Sequence, residues 1–424
     1  MDQGGASEFP SLTDDPETDA GQLDLFGMPV LTPDGGAASA SASPGSSVSR
    51  SRQPRAAAIA SLWEEDAVPT GEADAADDAP SPAAASPKKR RTRDVLAAEP
   101  SPEVLAVAHA LPPQVHLGTS SWSFPGWKGI VYGDDYSNSK LSRDGLTAYG
   151  AHPLLRTVSI DRSFYAPLTV TDYLRYAQQV PDHFRFIVKA PASVTDATVR
   201  AERGEPLSLN PCFLNAQLAI DEFVRPCLDG LGARAGALVF QFSPLPDQML
   251  ADPAGFIERL AAFLTALPPV PEGACYAVEI RDACLLTPRF IRTLKAAGVR
   301  YCVGIHARMP DPLRQAAALA LLDGEPAGPL IVRWSLHGGF KYEQAKAKYD
   351  PFDRLVDEDP ATRTALAELA ARYAIAGQPV VIAVNNKAEG SAPLTCLKLG
   401  CAIADAYARL MPDDPLKGTP AGHP

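Results

Sequence analysis

The chain has 424 residues, 50 of them acidic and 39 basic, for a formal net charge of -11. Residues 1–110 hold 18 of the acidic and 8 of the basic side chains, which leaves 32 against 31, so the acidity belongs to the N-terminal stretch. The nearly neutral remainder neither predicts nor excludes nucleic-acid binding, because a local basic patch would suffice. No apolar run reaches about 18 residues and the N-terminus lacks a basic start followed by an apolar core, so no membrane partner and a cytoplasmic location are expected. The seven cysteines form no CxxC pair and are expected to be reduced thiols.

Residues 1–110 are dominated by Ala, Ser, Pro, Gly and Asp, with Phe9, Phe26 and Trp63 as their aromatics. So little apolar surface cannot offset the entropy of ordering a chain, and the stretch is expected to be a disordered acidic tail. Within it, Gln22, Leu23, Asp24, Leu25 and Phe26 resemble the pentapeptide by which many bacterial DNA polymerases and repair proteins bind the replication sliding clamp. Leu25 and Phe26 would fill an apolar pocket of such a partner, although short motifs also recur by chance. Lys88-Lys89-Arg90-Arg91-Thr92-Arg93 is a dense basic run that would either contact nucleic-acid phosphates weakly or keep a linker solvated.

Beyond the tail, β-branched and aromatic runs alternate with helical patterns. The strand candidates are 115–119, 157–161, 184–189, 237–242, 276–281, 300–305, 330–334 and 380–384. The helix candidates are 171–180, 213–228, 253–267, 287–297, 311–322, 361–376 and 394–410. Eight βα units in about 300 residues predict an α/β fold, a TIM-type (β/α)8 barrel over 111–415, with residues 416–424 a flexible C-terminus. A doubly wound sheet would usually carry a Gly-rich phosphate loop after its first strand, and neither GxGxxG nor GxxxxGK[ST] is present. The connections after strands one, three and seven are long, which directs attention to the C-terminal face.

The run Leu117-Gly118-Thr119-Ser120-Ser121-Trp122-Ser123-Phe124-Pro125-Gly126-Trp127-Lys128-Gly129-Ile130-Val131-Tyr132 resembles the opening signature of the YecE-like family, the domain of unknown function 72. The resemblance continues through Ser163-Phe164-Tyr165, Phe184-Arg185-Phe186 with Lys189, Gln241, Glu279-Ile280-Arg281-Asp282, Arg333 with His337-Gly338, and Asn385-Asn386 with Gly390. It implies a TIM-type barrel with these residues at one mouth, and no particular reaction. Three segments depart from the family pattern. Val158-Ser159-Ile160-Asp161 stands where Val-Glu-Ile-Asn is usual, Thr195-Asp196 replaces Thr-His, and Arg-Phe-His-Gly is stretched to Arg333-Trp334-Ser335-Leu336-His337-Gly338.

Strand alternation places Ala277, Glu279 and Arg281 on one face and Val278 and Ile280 on the other, so the charged pair points into the barrel. Glu279 is then a candidate general base or metal ligand and Arg281 an anion anchor, unless the two form a structural ion pair. Lys189 could anchor an anion or form a Schiff base. Together with Arg281, Arg333 and Lys387 it would make the mouth electropositive, unless these cations pair with Glu279, Asp161 and Asp282. His306 and His337 could complete an acid–base relay or, with Glu279 and Asp161, hold a divalent metal; no HxH or HExxH motif concentrates ligands. Asn385 and Asn386 would bind a polar substrate or satisfy the last loop. Trp122, Phe124, Trp127, Tyr132, Phe164 and Tyr165 would stack a base or sugar, or form a hydrophobic lid.

These features support a hydrolase-like enzyme acting on a phosphate-bearing or nucleic-acid-related substrate, with Glu279 and a histidine as acid–base or metal-assisting groups. The alternative is a non-catalytic anion-binding or adaptor protein tethered to the replication and repair machinery through its tail. A third possibility is carbonyl chemistry through Lys189.

Overall fold

The computed structural model describes residues 94–200, 206–324, 327–337 and 342–411. Gln22–Phe26 and Lys88–Arg93 lie outside these residues. Eight parallel strands close into a barrel: β1 (Val115–Thr119), β2 (Leu155–Ile160), β3 (Arg185–Lys189), β4 (Ala235–Gln241), β5 (Cys275–Glu279), β6 (Arg300–Ile305), β7 (Leu330–Trp334) and β8 (Val380–Val384). Each strand pairs with its sequence neighbours, and β1 closes against β8 with His116 opposite Val381 and Thr119 opposite Val384. The predicted barrel is therefore observed strand for strand, with boundaries displaced by at most two residues.

The interior is layered along the barrel axis. Ile187, Ala237, Val239, Ala277, Cys302, Ile331, Val381 and Ala383 form a closed apolar layer at mid-height, separate from the large core between strands and helices. One residue pair further along the strands, polar and charged side chains take over at both ends. Lys189, Gln241, Glu279, Arg333 and Asn385 lie toward the C-terminal mouth, while His116 and Arg185 lie toward the N-terminal one.

Several outer helices open on one signature, a capping oxygen followed by proline. Ser101-Pro102, Asp252-Pro253, Thr287-Pro288, Asp311-Pro312 and Asp359-Pro360 each place a side-chain acceptor on a first-turn N–H and a proline where no donor is needed. The first of these corrects a sequence expectation. Disorder was expected to run to about residue 110, yet Pro102–Ala110 is a helix that buries Val107 and Ala108. Gly400 of the final helix, Ala392–Leu410, permits this contact, since a Cβ there would lie 2.8 Å from Val107 Cγ1. Residues before the helix strap back across the barrel, with Ala98 N donating to Val131 O (2.9 Å) and Gly133 N to Leu96 O (2.9 Å). Alanine-rich composition hid this segment, in which Val107 and Ala108 are buried while Leu105 is exposed.

The connections contain elements that periodicity did not reveal: the short helices Asn138–Asp144 and Leu146–Gly150 after β1, an antiparallel hairpin of Thr198–Arg200 with Pro206–Leu209 after β3, and the helix Tyr342–Tyr349 after β7. All seven cysteines are free. Among the described residues, no helix is long and apolar enough to cross a membrane.

Gly118 is the tightest point of the barrel wall. A Cβ there would fall 1.7 Å from the Thr157 carbonyl oxygen, at the place where the β1–β2 register shifts. Backbone cannot retreat as a side-chain tip can, so Gly118→Ala is expected to cost upward of about 3 kcal/mol. Thermal denaturation checks this; an unchanged melting temperature would contradict it.

Candidate functional site

The C-terminal mouth is organised around Arg333 at the end of β7. Its Nη1 donates to Glu279 Oε2 (2.8 Å) and Gln241 Oε1 (2.9 Å), and its Nη2 donates to Asp161 Oδ2 (2.6 Å). One guanidinium thus ties together the ends of β2, β4 and β5. Arg281, just past β5, approaches from the other side, with Nη2 2.6 Å from Glu279 Oε1 in an ion pair. The same nitrogen donates to Gln241 Oε1 (3.1 Å) and Ser335 Oγ (3.4 Å). Strand alternation had placed Glu279 and Arg281 inside the barrel, and both are buried there.

The segment that departs from the family pattern is part of this network. Ser159 stands where the family carries a carboxylate, and its Oγ donates to Asp161 Oδ1 (2.5 Å). Asp161, the carboxylate gained two residues on, is the one that receives Arg333. Ser335, within the stretched segment after β7, contacts Arg281.

Burial alone would push the Glu279 carboxyl upward, but Arg281 and Arg333 outweigh it and hold the group below its ordinary range. Burial opposes the charge of Arg333 too, and Asp161 and Glu279 carry it above the ordinary guanidinium range. Glu279 is thus held ionised by guanidinium partners, which leaves it poorly suited to take up a proton at neutral pH.

Lys189, at the end of β3, differs from the other cations of the site. Its Nζ sits 3.5 Å from the centroid of the Phe164 ring, and no carboxylate among the described residues lies within 4.0 Å of it. The side chain remains partly exposed. Burial in protein lowers its pKa to about 8; Asp161 opposes the shift, while Arg333 and Arg281 add to it. Ser163 Oγ donates to the Lys189 carbonyl (2.6 Å), which fixes the strand end from the turn that carries Phe164.

His306, just past β6, is lowered to about 4, first by burial and then by Arg281. Its Nδ1 accepts from Arg308 N (3.2 Å), so the neutral ring carries its proton on Nε2. Arg308 in turn donates to Asp282 Oδ1 (2.7 Å), and Asp282 Oδ2 accepts from Leu245 N (2.8 Å), which takes Asp282 out of the central cluster.

The remaining candidates are distributed more widely than their sequence positions suggested. His337 N donates to Lys387 O (2.9 Å), and Lys387 is buried with its Nζ 6.0 Å from the Phe352 ring centroid, outside the Arg333 network. Asn385 Nδ2 donates to Ser120 Oγ (2.8 Å), while its Oδ1 accepts from Lys387 N (2.9 Å). Asn386 Oδ1 accepts from Ala392 N (2.8 Å) at the start of the final helix. Both amide oxygens therefore hold the last loop, while Asn386 Nδ2 is buried with no hydrogen-bond partner among the described residues.

The aromatic group divides in the same way. Trp127 is fully buried against Phe124 (4.9 Å), Trp122 packs edge-on to Tyr176 (5.2 Å), and the Tyr132 hydroxyl donates to the Trp122 carbonyl. These rings are packing rather than a stacking platform. Phe164 and Tyr165, with centroids 5.3 Å apart, stay partly exposed beside Lys189.

A divalent metal does not fit the residues present. Both Glu279 oxygens face guanidinium groups, and Asp161 is shared between Ser159 and Arg333. Among the described residues, no group of three His, Cys, Asp or Glu side chains could hold a metal ion.

Three residues to which no individual role was assigned from sequence contact the cluster. Gln241 accepts from both arginines, Ser159 orients Asp161, and Phe164 faces the lysine. Inward alternation on β4 and β2 was the signal for the first two.

A DUF72 family protein from Enterococcus faecalis V583 is 16% identical, with a TM-score of 0.47 over 68% of this chain and 95% of its own. One from Thermotoga maritima MSB8 is 18% identical, with a TM-score of 0.44 over 67% and 97%. No curated protein matches the chain in sequence. The family pattern described as protein of unknown function DUF72 matches residues 116–419, well over half of the chain, and the protein therefore belongs to the DUF72 family.

Proposed function

We propose that the protein is a hydrolase-like acid–base enzyme acting on a small phosphate-bearing substrate held at the C-terminal mouth, with Lys189 as the proton-transferring group. The observation that carries this reading is Lys189, a partly exposed residue whose amine has no carboxylate within 4.0 Å among the described residues and is shifted to about 8. Lys189, Arg281 and Arg333 face Asp161 and Glu279, so the cluster has one cation more than it has carboxylates. An anionic group on the substrate would balance that excess.

In this reading the neutral amine takes a proton from the attacking water, and the ammonium returns it to the leaving group while attracting the phosphate. Arg281 Nε, buried without a hydrogen-bond partner, and His306 Nε2–H are further donors for substrate oxygens. Phe164 and Tyr165 border the organic part. Glu279, Asp161 and Gln241 hold the two guanidiniums in place.

Amine labelling tests the placement of the substrate. With trinitrobenzenesulfonate at pH 8, read by peptide mass spectrometry, Lys189 should react faster than the surface lysines. Millimolar phosphomonoester should slow it at least about tenfold. Labelling of Lys189 that phosphomonoesters leave unchanged would contradict the reading.

A further inference from the structure

The apolar layer at mid-barrel separates the site above from a second group of polar side chains at the N-terminal mouth. The strand register there gathers cationic side chains. His116 of β1 shares the inward face with Val381, and Arg185 of β3 lies opposite Thr157 of β2, two residues below Ile187. The β1–β2 register shift at Leu117/Gly118 leaves Arg156 as an extra residue between Leu155 and Thr157, beside both.

Among the described residues, no acidic side chain pairs with these cations. Arg156 Nη2 donates to the Ala108 carbonyl (3.0 Å), and Arg185 Nη1 donates to the carbonyls of Asp182 (2.8 Å) and Phe184 (2.9 Å). Among the described residues, no carboxylate lies within 4.0 Å of either guanidinium. The side chain of Asp182, whose carbonyl Arg185 meets, is paired with Arg234 (2.6 Å). His183 adds an exposed imidazole. The side-chain Nδ1 of His116 and Oε1 of Gln114 are buried without a hydrogen-bond partner. Backbone carbonyls satisfy the geometry of the two arginines but leave their charge uncompensated.

We propose that Arg156, Arg185 and His116 form a second anion site at the N-terminal mouth, for a small oxyanion of the phosphate type. Two guanidiniums supply charge and forked donors, and the imidazole, once protonated by the approaching anion, supplies a third donor. In the absence of an anion His116 is held at about 4, by burial first and then by Arg185; a hydrogen bond to the Arg156 backbone opposes the shift, while the charges of Arg156 and His183 add to it. An anion between these groups would reverse that balance. The site stands independently of the chemistry proposed for the opposite mouth, because Ile187 and its layer intervene.

The experiment is a titration of the full chain, labelled at histidine, with inorganic phosphate, followed by NMR and assigned with His116→Phe. The His116 signal should shift saturably and its pKa should rise. Arg185→Gln should weaken the binding at least about tenfold, whereas Lys189→Met at the other mouth should leave it unchanged. A His116 signal that phosphate does not move, or one whose response disappears in Lys189→Met, overturns the proposal. Should Arg185→Gln fail to fold, the wild-type and Lys189→Met titrations still decide.

Discussion

Replacing Lys189 with methionine is expected to lower turnover by at least about a hundredfold while leaving the folded protein intact, since methionine keeps the stem and removes the amine. The pH dependence should identify the working form. With the amine shifted to about 8, wild-type activity should rise with pH up to that value and level off above it, because the neutral amine accepts the proton. Stability supplies an independent check. The folded-state pKa lies below the ordinary 10.5, so the folded protein binds fewer protons than the unfolded chain between about 8 and 10.5. Stability contributed through this group therefore increases with pH across that window, and below it the fold carries a buried ammonium at a cost. Lys189→Met should not lower the melting temperature at pH 7. A variant that loses activity and melts several degrees earlier would indicate a structural lysine.

The second large effect is expected at Glu279. Its side chain is fully buried and contacts both Arg281 and Arg333, so Glu279→Gln would leave Arg281 without its ion-pair partner and Arg333 with Asp161 alone. Removing one partner of a buried ion pair costs about 3–5 kcal/mol, and the denaturation midpoint should fall accordingly. Because Glu279 is held below its ordinary 4.5, the stabilisation it provides is fully present above that value and is lost as pH falls below it. The variant and wild type should thus converge in acid. The double variant Glu279→Gln with Arg281→Gln should recover part of the loss. A cost under about 1 kcal/mol for the single change would show that the arginines are solvated rather than braced.

How much of this was legible in the sequence follows from the range of each interaction. The eight strands declare themselves by local runs, and the inward face of β5 by alternation at Ala277, Glu279 and Arg281, because both depend on a few consecutive residues. What Glu279 does was not legible, since it is settled by Arg333, 54 positions away in sequence. Free and braced carboxylates look the same in one dimension. The same holds for Asn386, whose amide caps the final helix, and for Trp127, whose ring is enclosed by its own loop. The helix Pro102–Ala110 is a different case. Its Ser101-Pro102 cap was present in the sequence, but alanine-rich composition outweighed it. Asp161 is a similar case, since its pairing with Arg333 joins residues 172 positions apart.

The central claim is that Lys189 is the reactive amine of the mouth, and its titration tests that claim most directly. Competitive labelling of the native protein from pH 6 to 11, with Lys189 resolved by peptide mass spectrometry, should give a midpoint near the expected value of about 8. A midpoint at the ordinary 10.5 would contradict the account, because an ammonium solvated like any surface lysine could not act as the base at neutral pH.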